Sequence, residues 1–108
     1  MPDTPRMAQL RELLAQDPAD PFLRYGLAME HTSAGDDAEA VRVLRALTAD
    51  SPDYIPAYLM CAQALARLGE EPQAAAVLRA GVAAADKAGT PDAQHARAEM
   101  LGLLATVE

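Results

Sequence analysis

The chain has 108 residues, a formal net charge of −7 and 51% apolar residues, yet only 4% aromatic ones and no tryptophan. That length allows one domain with a real core and excludes two. Sixteen acids against nine bases exclude a phosphate-binding surface, so neither nucleic acid nor an anionic membrane is an expected partner.

Local signals agree with those limits. No uninterrupted run of about 18 apolar residues marks a membrane helix. The opening MPDTPRMAQL lacks the basic end and apolar run of a signal peptide. The lone Cys61 cannot close an internal disulfide or a cysteine metal cage. Together these point to a cytoplasmic protein with no bound cofactor or metal.

Proline, glycine and capping residues divide the chain into six helix-length segments, 4–16, 20–34, 37–49, 53–68, 71–88 and 91–107. The first opens on Thr4-Pro5 and ends before Asp17-Pro18. The second opens on Asp20-Pro21, because a first-turn proline gives up an N–H that has no helical acceptor anyway. It stops at Gly35, a residue suited to a left-handed backbone. The third follows Asp36-Asp37 and carries a helical stripe of Ala40, Val41, Leu44 and Leu47. The fourth starts after Asp53, carries Tyr58, Cys61, Ala62, Leu65 and Leu68, and stops at Gly69. The fifth follows Glu70-Glu71, carries Ala74, Val77, Leu78, Gly81, Val82 and Ala85, and stops at Gly89. The sixth opens on Thr90-Pro91 and carries Ala93, Ala96, Met100, Leu103, Leu104 and Val107. No stretch alternates with period two, so the fold class is all-α. Each stripe covers one face, so every helix needs a neighbour, and the short loops make consecutive helices antiparallel.

Candidate chemistry is sparse. His31 and His95 sit on separate helices with no partner set at ligand spacing, and both read as surface or boundary residues. Glu30-His31 lacks the second histidine, four residues on, of a zinc-protease helix. Cys61 lies at a small apolar position and reads as a buried, inert thiol. The pairs Asp36-Asp37 and Glu70-Glu71 read as caps for the third and fifth helices, with a cation site as the alternative. Met7 and Met100 read as core fillers. No constellation of titratable groups supports an enzyme.

An internal repeat organises the chain. Residues 34 apart match at Pro18 and Pro52, Leu27 and Cys61, Ala28 and Ala62, Gly35 and Gly69, Ala40 and Ala74, Val43 and Val77, and Leu44 and Leu78. This ladder resembles the tetratricopeptide repeat, a pair of antiparallel helices with small residues where they cross. Repeat one spans 21–54, with Leu27-Ala28, Gly35-Asp36, Glu39-Ala40 and Pro52 at the family positions. Repeat two spans 55–88, with Tyr58, Cys61-Ala62, Gly69-Glu70 and Gln73-Ala74. Its terminal proline is replaced by Asp86. Segment 4–18 resembles the second helix of a preceding repeat. Segment 90–107 reads as a capping helix, since Leu101-Gly102 is out of phase with the ladder. The expected architecture is therefore a helix-pair solenoid of about six helices with terminal caps.

The resemblance implies that the first helices of each repeat line a concave groove for a peptide or partner helix. Carried onto this chain, the groove residues are Phe22, Tyr25, Met29, Thr32 and Ser33 from repeat one. Repeat two adds Pro56, Leu59, Gln63, Ala66 and Arg67. The subtype that grips chaperone tails carries Lys and Asn where this chain has Tyr25, Met29 and Met60, so that clamp is absent. The implied role is a non-catalytic adaptor for a protein or peptide partner. The alternative is a homo-oligomerising module, such as a homodimer, whose groove or repeat ends are covered by a second copy.

Overall fold

A computed structural model describes residues 3–108 as six α-helices and no strand among them. They are α1 (Pro5–Gln16), α2 (Pro21–Ser33), α3 (Asp37–Asp50), α4 (Pro56–Arg67), α5 (Glu71–Ala88) and α6 (Pro91–Val107). Each packs on the next in the chain, and α4 also touches α6. The result is a stack of antiparallel pairs, α2 with α3 and α4 with α5, flanked by α1 and α6.

The punctuation works as the residues dictate. Thr4, Asp20 and Thr90 cap α1, α2 and α6 through their side-chain oxygens, each just before a first-turn proline. The ends of α2 and α4 are near copies. Gly35 and Gly69 take φ of +78° and +79°. The Asp36 N–H donates to the His31 carbonyl and the Glu70 N–H to the Leu65 carbonyl, both at 2.9 Å. Gly35 and Gly69 donate to Thr32 and Ala66, both at 3.0 Å, completing two Schellman motifs.

The exits of α1 and α3 repeat as well. Asp17 and Ser51 have ψ of 76° and 75°, each precedes a proline, and each carbonyl accepts from the residue three ahead, Asp20 or Tyr54. The turns that follow α1 and α3 therefore share one geometry. Where repeat one stops at Pro52, repeat two has Asp86, and α5 runs on to Gly89 with φ +66°. The loop after α5 is shorter to match, so the first residues of α2, α4 and α6, Pro21, Pro56 and Pro91, keep an even spacing of 35.

Two expected caps are corrected. α4 begins at Pro56 rather than at 53, and Asp53 caps nothing. Pro56 has no N–H to give the Pro52 carbonyl, so a helix cannot start there. The Tyr58 hydroxyl donates to that carbonyl instead, at 2.6 Å. Asp36 caps α3 through the Glu39 N–H, but Glu70 makes no such bond at α5 and accepts from the Gln73 amide at 3.1 Å.

The core has two parts. The larger joins α2 to α6 through residues such as Ala28, Leu44, Leu47, Tyr58, Leu65, Leu78 and Met100. Alanines at positions 28, 40, 62 and 74 are fully buried, as close helix crossings require. Gly81 marks the tightest approach: a Cβ there would lie 2.7 Å from the Tyr58 Cβ and 2.5 Å from the Met100 Sδ. The smaller cluster is Met7, Leu10 and Leu27 and holds α1 onto α2. His31 is buried, which corrects its expected place at the surface or boundary.

Candidate interaction surface

Helix α2 presents Phe22, Tyr25 and Met29 at offsets of three and seven, one face of a 3.6-residue helix. Phe22 is 72% exposed and Met29 44%, the two most exposed apolar side chains that α2 contributes. Tyr25 is half-buried, its ring centroid 5.5 Å from that of Tyr54 at a tilt of 51°, a favourable aromatic geometry. Burial raises the pKa of both tyrosine hydroxyls above the ordinary value, making them weaker acids, and a neighbour adds to the shift, Tyr54 for Tyr25 and Asp20 for Tyr54. The Thr32 hydroxyl is enclosed and has no hydrogen-bond partner among the described residues, and Ser33 beside it is exposed.

Helix α4 contributes differently. Leu59 is half-buried against the main core, and Gln63 is exposed. Arg67 is exposed, but its guanidinium is committed: it donates to both oxygens of Asp37, at 2.9 to 3.2 Å. The ion pair links the end of α4 to the first turn of α3, where Asp37 also complements the helix N-terminus that Asp36 caps. Pro56 is exposed and Ala66 half-buried.

Beside Tyr54 lies a shallow cavity of about 290 Å³. It is lined by Asp53, Tyr54, Pro56, Asp92 and Ala96 among others. Sequence reasoning gives Asp53 only a helix-start role and passes over Tyr54 and Asp92, because Tyr54 belongs to the turn before α4 and meets Tyr25 only through the stacking of the pairs. The one available signal was its place directly ahead of a first helix in a chain with four aromatic residues.

The Cys61 thiol is buried, and burial pushes it up, against a smaller opposing pull from Arg45, so it stays protonated at neutral pH. Among the described residues no three His, Cys, Asp or Glu side chains stand close enough to hold a metal ion. Among the described residues no helix is long and apolar enough to cross a membrane.

The tetratricopeptide repeat family model matches residues 31–100. The chain belongs to this family. The matched span starts at the end of α2 and covers the second helix of repeat one, all of repeat two and most of α6. Solved structures extend the likeness to the N-terminal helices. PcrH, solved in complex with the chaperone binding region of PopD, has a TM-score of 0.84 at 19% identity. The match covers 94% of this chain and 74% of that one. SycD, a type III secretion translocator chaperone of Yersinia enterocolitica, has a TM-score of 0.84 at 16% identity, with 94% and 68% covered. A tetratricopeptide repeat domain protein of Salinibacter ruber has a TM-score of 0.76 at 28% identity, with 84% and 89% covered. No curated protein matches. As a tetratricopeptide repeat, the chain has the helix-pair architecture that its 34-residue ladder implied.

Proposed function

We propose that this tetratricopeptide repeat protein is a non-catalytic adaptor that holds a segment of a partner protein against the first helices of its two repeats. Phe22, Tyr25, Met29, Thr32, Leu59, Gln63 and Arg67 form the contact surface in this reading. The carrying observation is the open apolar face of α2: Phe22 and Met29 lie in water where a folded monomer gains nothing from them. Aromatic and methionine anchors are the side chains that dominate binding interfaces. The complex of PcrH with a region of PopD supports the reading by analogy of fold. Arg67 acts through the N–H groups that Asp37 leaves free, and Asp37 fixes its direction. The single buried cysteine fits a reducing compartment such as the cytoplasm.

Capture from lysate tests the adaptor role. Wild type should retain a specific protein that Tyr25→Ala/Leu59→Ala loses, with circular dichroism confirming that the variant is folded. Equal capture by both would remove the groove assignment.

Self-association is the second reading, and it has its own observation. The flanking helices expose Leu13 (49%) and Leu101 (39%), one at each end of the stack. A strict monomer by light scattering at micromolar concentration contradicts it.

A further inference from the structure

The adaptor reading leaves the chemistry of the partner open, and the distribution of charge around the α2 face narrows it. Among the described residues, every arginine but Arg45 has a carboxylate partner. Arg45 donates to the Gln73 amide oxygen at 2.7 Å instead. The positive charges are therefore largely neutralised within the chain, and the net charge of −7 resides on acids left over.

Three of those acids border the aromatic face. Asp20 caps α2 with one oxygen, two residues before Phe22, and its charge acts on Tyr54. Asp53 and Asp92 line the cavity beside Tyr54, at the entrances to α4 and α6. None of the three takes part in an ion pair among the described residues. Arg24, the cation of this edge on α2, is held by Asp50 at 2.8 Å. Lys87 lines a second cavity that Asp53 also borders, and forms no ion pair with it.

We propose that the segment docked on Phe22, Tyr25 and Tyr54 is basic, with arginine side chains laid against the tyrosine rings and facing Asp20, Asp53 and Asp92. The proposal rests on the adaptor reading and specifies its partner. An arginine satisfies the surface twice over: its planar guanidinium stacks on an aromatic face, and its fork matches a carboxylate. An acidic segment would meet uncompensated like charge, which discriminates against wrong partners. Apolar residues of the same segment would cover Phe22, which otherwise stays in water.

The probes are short fluorescein-labelled peptides alternating arginine with leucine, lysine with leucine, or glutamate with leucine, followed by fluorescence anisotropy on the full chain. The arginine peptide should bind most tightly, lysine more weakly and glutamate not at all. Asp53→Asn/Asp92→Asn should weaken the arginine peptide about tenfold, as expected for two partly exposed charge pairs. Added salt should shrink that difference. Glu70→Gln/Glu71→Gln, which removes the same charge at the opposite edge, should leave binding within about twofold. Equal weakening by the two double variants, or no preference for arginine over glutamate, overturns the proposal. A partner that depends on Tyr25 and Leu59 but is captured equally by Asp53→Asn/Asp92→Asn overturns it too, while the adaptor reading stands. Failure of Tyr25→Ala/Leu59→Ala to lose any partner removes both.

Discussion

Gly81 shows how much one missing methyl group decides. Alanine is the better helix former by about 1 kcal/mol, so on propensity alone Gly81→Ala should stabilise α5. The added Cβ, however, would fall 2.7 Å from the Tyr58 Cβ, an atom fixed to the α4 backbone. α4 and α5 would have to part, and overpacking of this kind costs about 1–3 kcal/mol. We expect Gly81→Ala to lower unfolding free energy by about 1–2 kcal/mol, read from urea midpoints. A more stable variant would mean that the helices separate without penalty. Leaving Gly81 among the apolar stripe residues, as its spacing alone does, gives no hint of this, because the constraint comes from Tyr58 and Met100 on two other helices.

At the level of elements, the boundaries were legible wherever one residue carries its own instruction. Thr4-Pro5, Asp20-Pro21, Thr90-Pro91, Gly35, Gly69 and Gly89 each fix a local backbone, and five of the six helices start and end within a residue of expectation. The start of α4 was legible in Pro56, which has no N–H for the Pro52 carbonyl, although Asp53 was expected to open the helix; the bond from the Tyr58 hydroxyl to that carbonyl is what the spacing does not report. Glu70 was misread for a related reason: as a longer homologue of aspartate, it turns to Gln73 rather than to the free N–H groups of α5. His31 is buried as well, which no α2 pattern reports. Of the candidate interaction surface, Phe22 and Met29 came from the repeat resemblance, and the structure shows that both are exposed. The pairing of Tyr25 with Tyr54, and of Arg67 with Asp37, required the stack. The two Schellman turns provide a test at this scale. A Cβ at Gly35 or Gly69 would meet nothing within 4 Å, so alanine there is penalised by backbone conformation alone. Gly35→Ala and Gly69→Ala should each destabilise by about 1–2 kcal/mol, and by the same amount. Unequal losses in chemical denaturation would show that the repeats differ where their geometry matches.

The whole molecule is not uniformly bound together. From α2 to α6 a continuous core runs through the stack, whereas α1 rests on Met7, Leu10 and Leu27, with Leu14, Leu23 and Ala34 at the margin. Local opening free energies follow such differences in burial. Leu10→Ala should therefore raise amide exchange across α1 by about tenfold or more and leave α4 and α5 protected. Uniform loss of protection would mean that the stack unfolds as one unit.

The small cluster under α1 has a consequence of another kind. Three residues of turn separate α1 from the cap of α2, so α1 behaves as a ligand on a short tether, present at an effective concentration of order millimolar. Its seat on α2 thus needs only modest intrinsic affinity to stay filled. The stack already shows, within its own chain, what it takes to hold an amphipathic helix: two buried anchors and a linker too short to let them wander. An external segment lacks that tether, and must replace it with stronger contacts of its own.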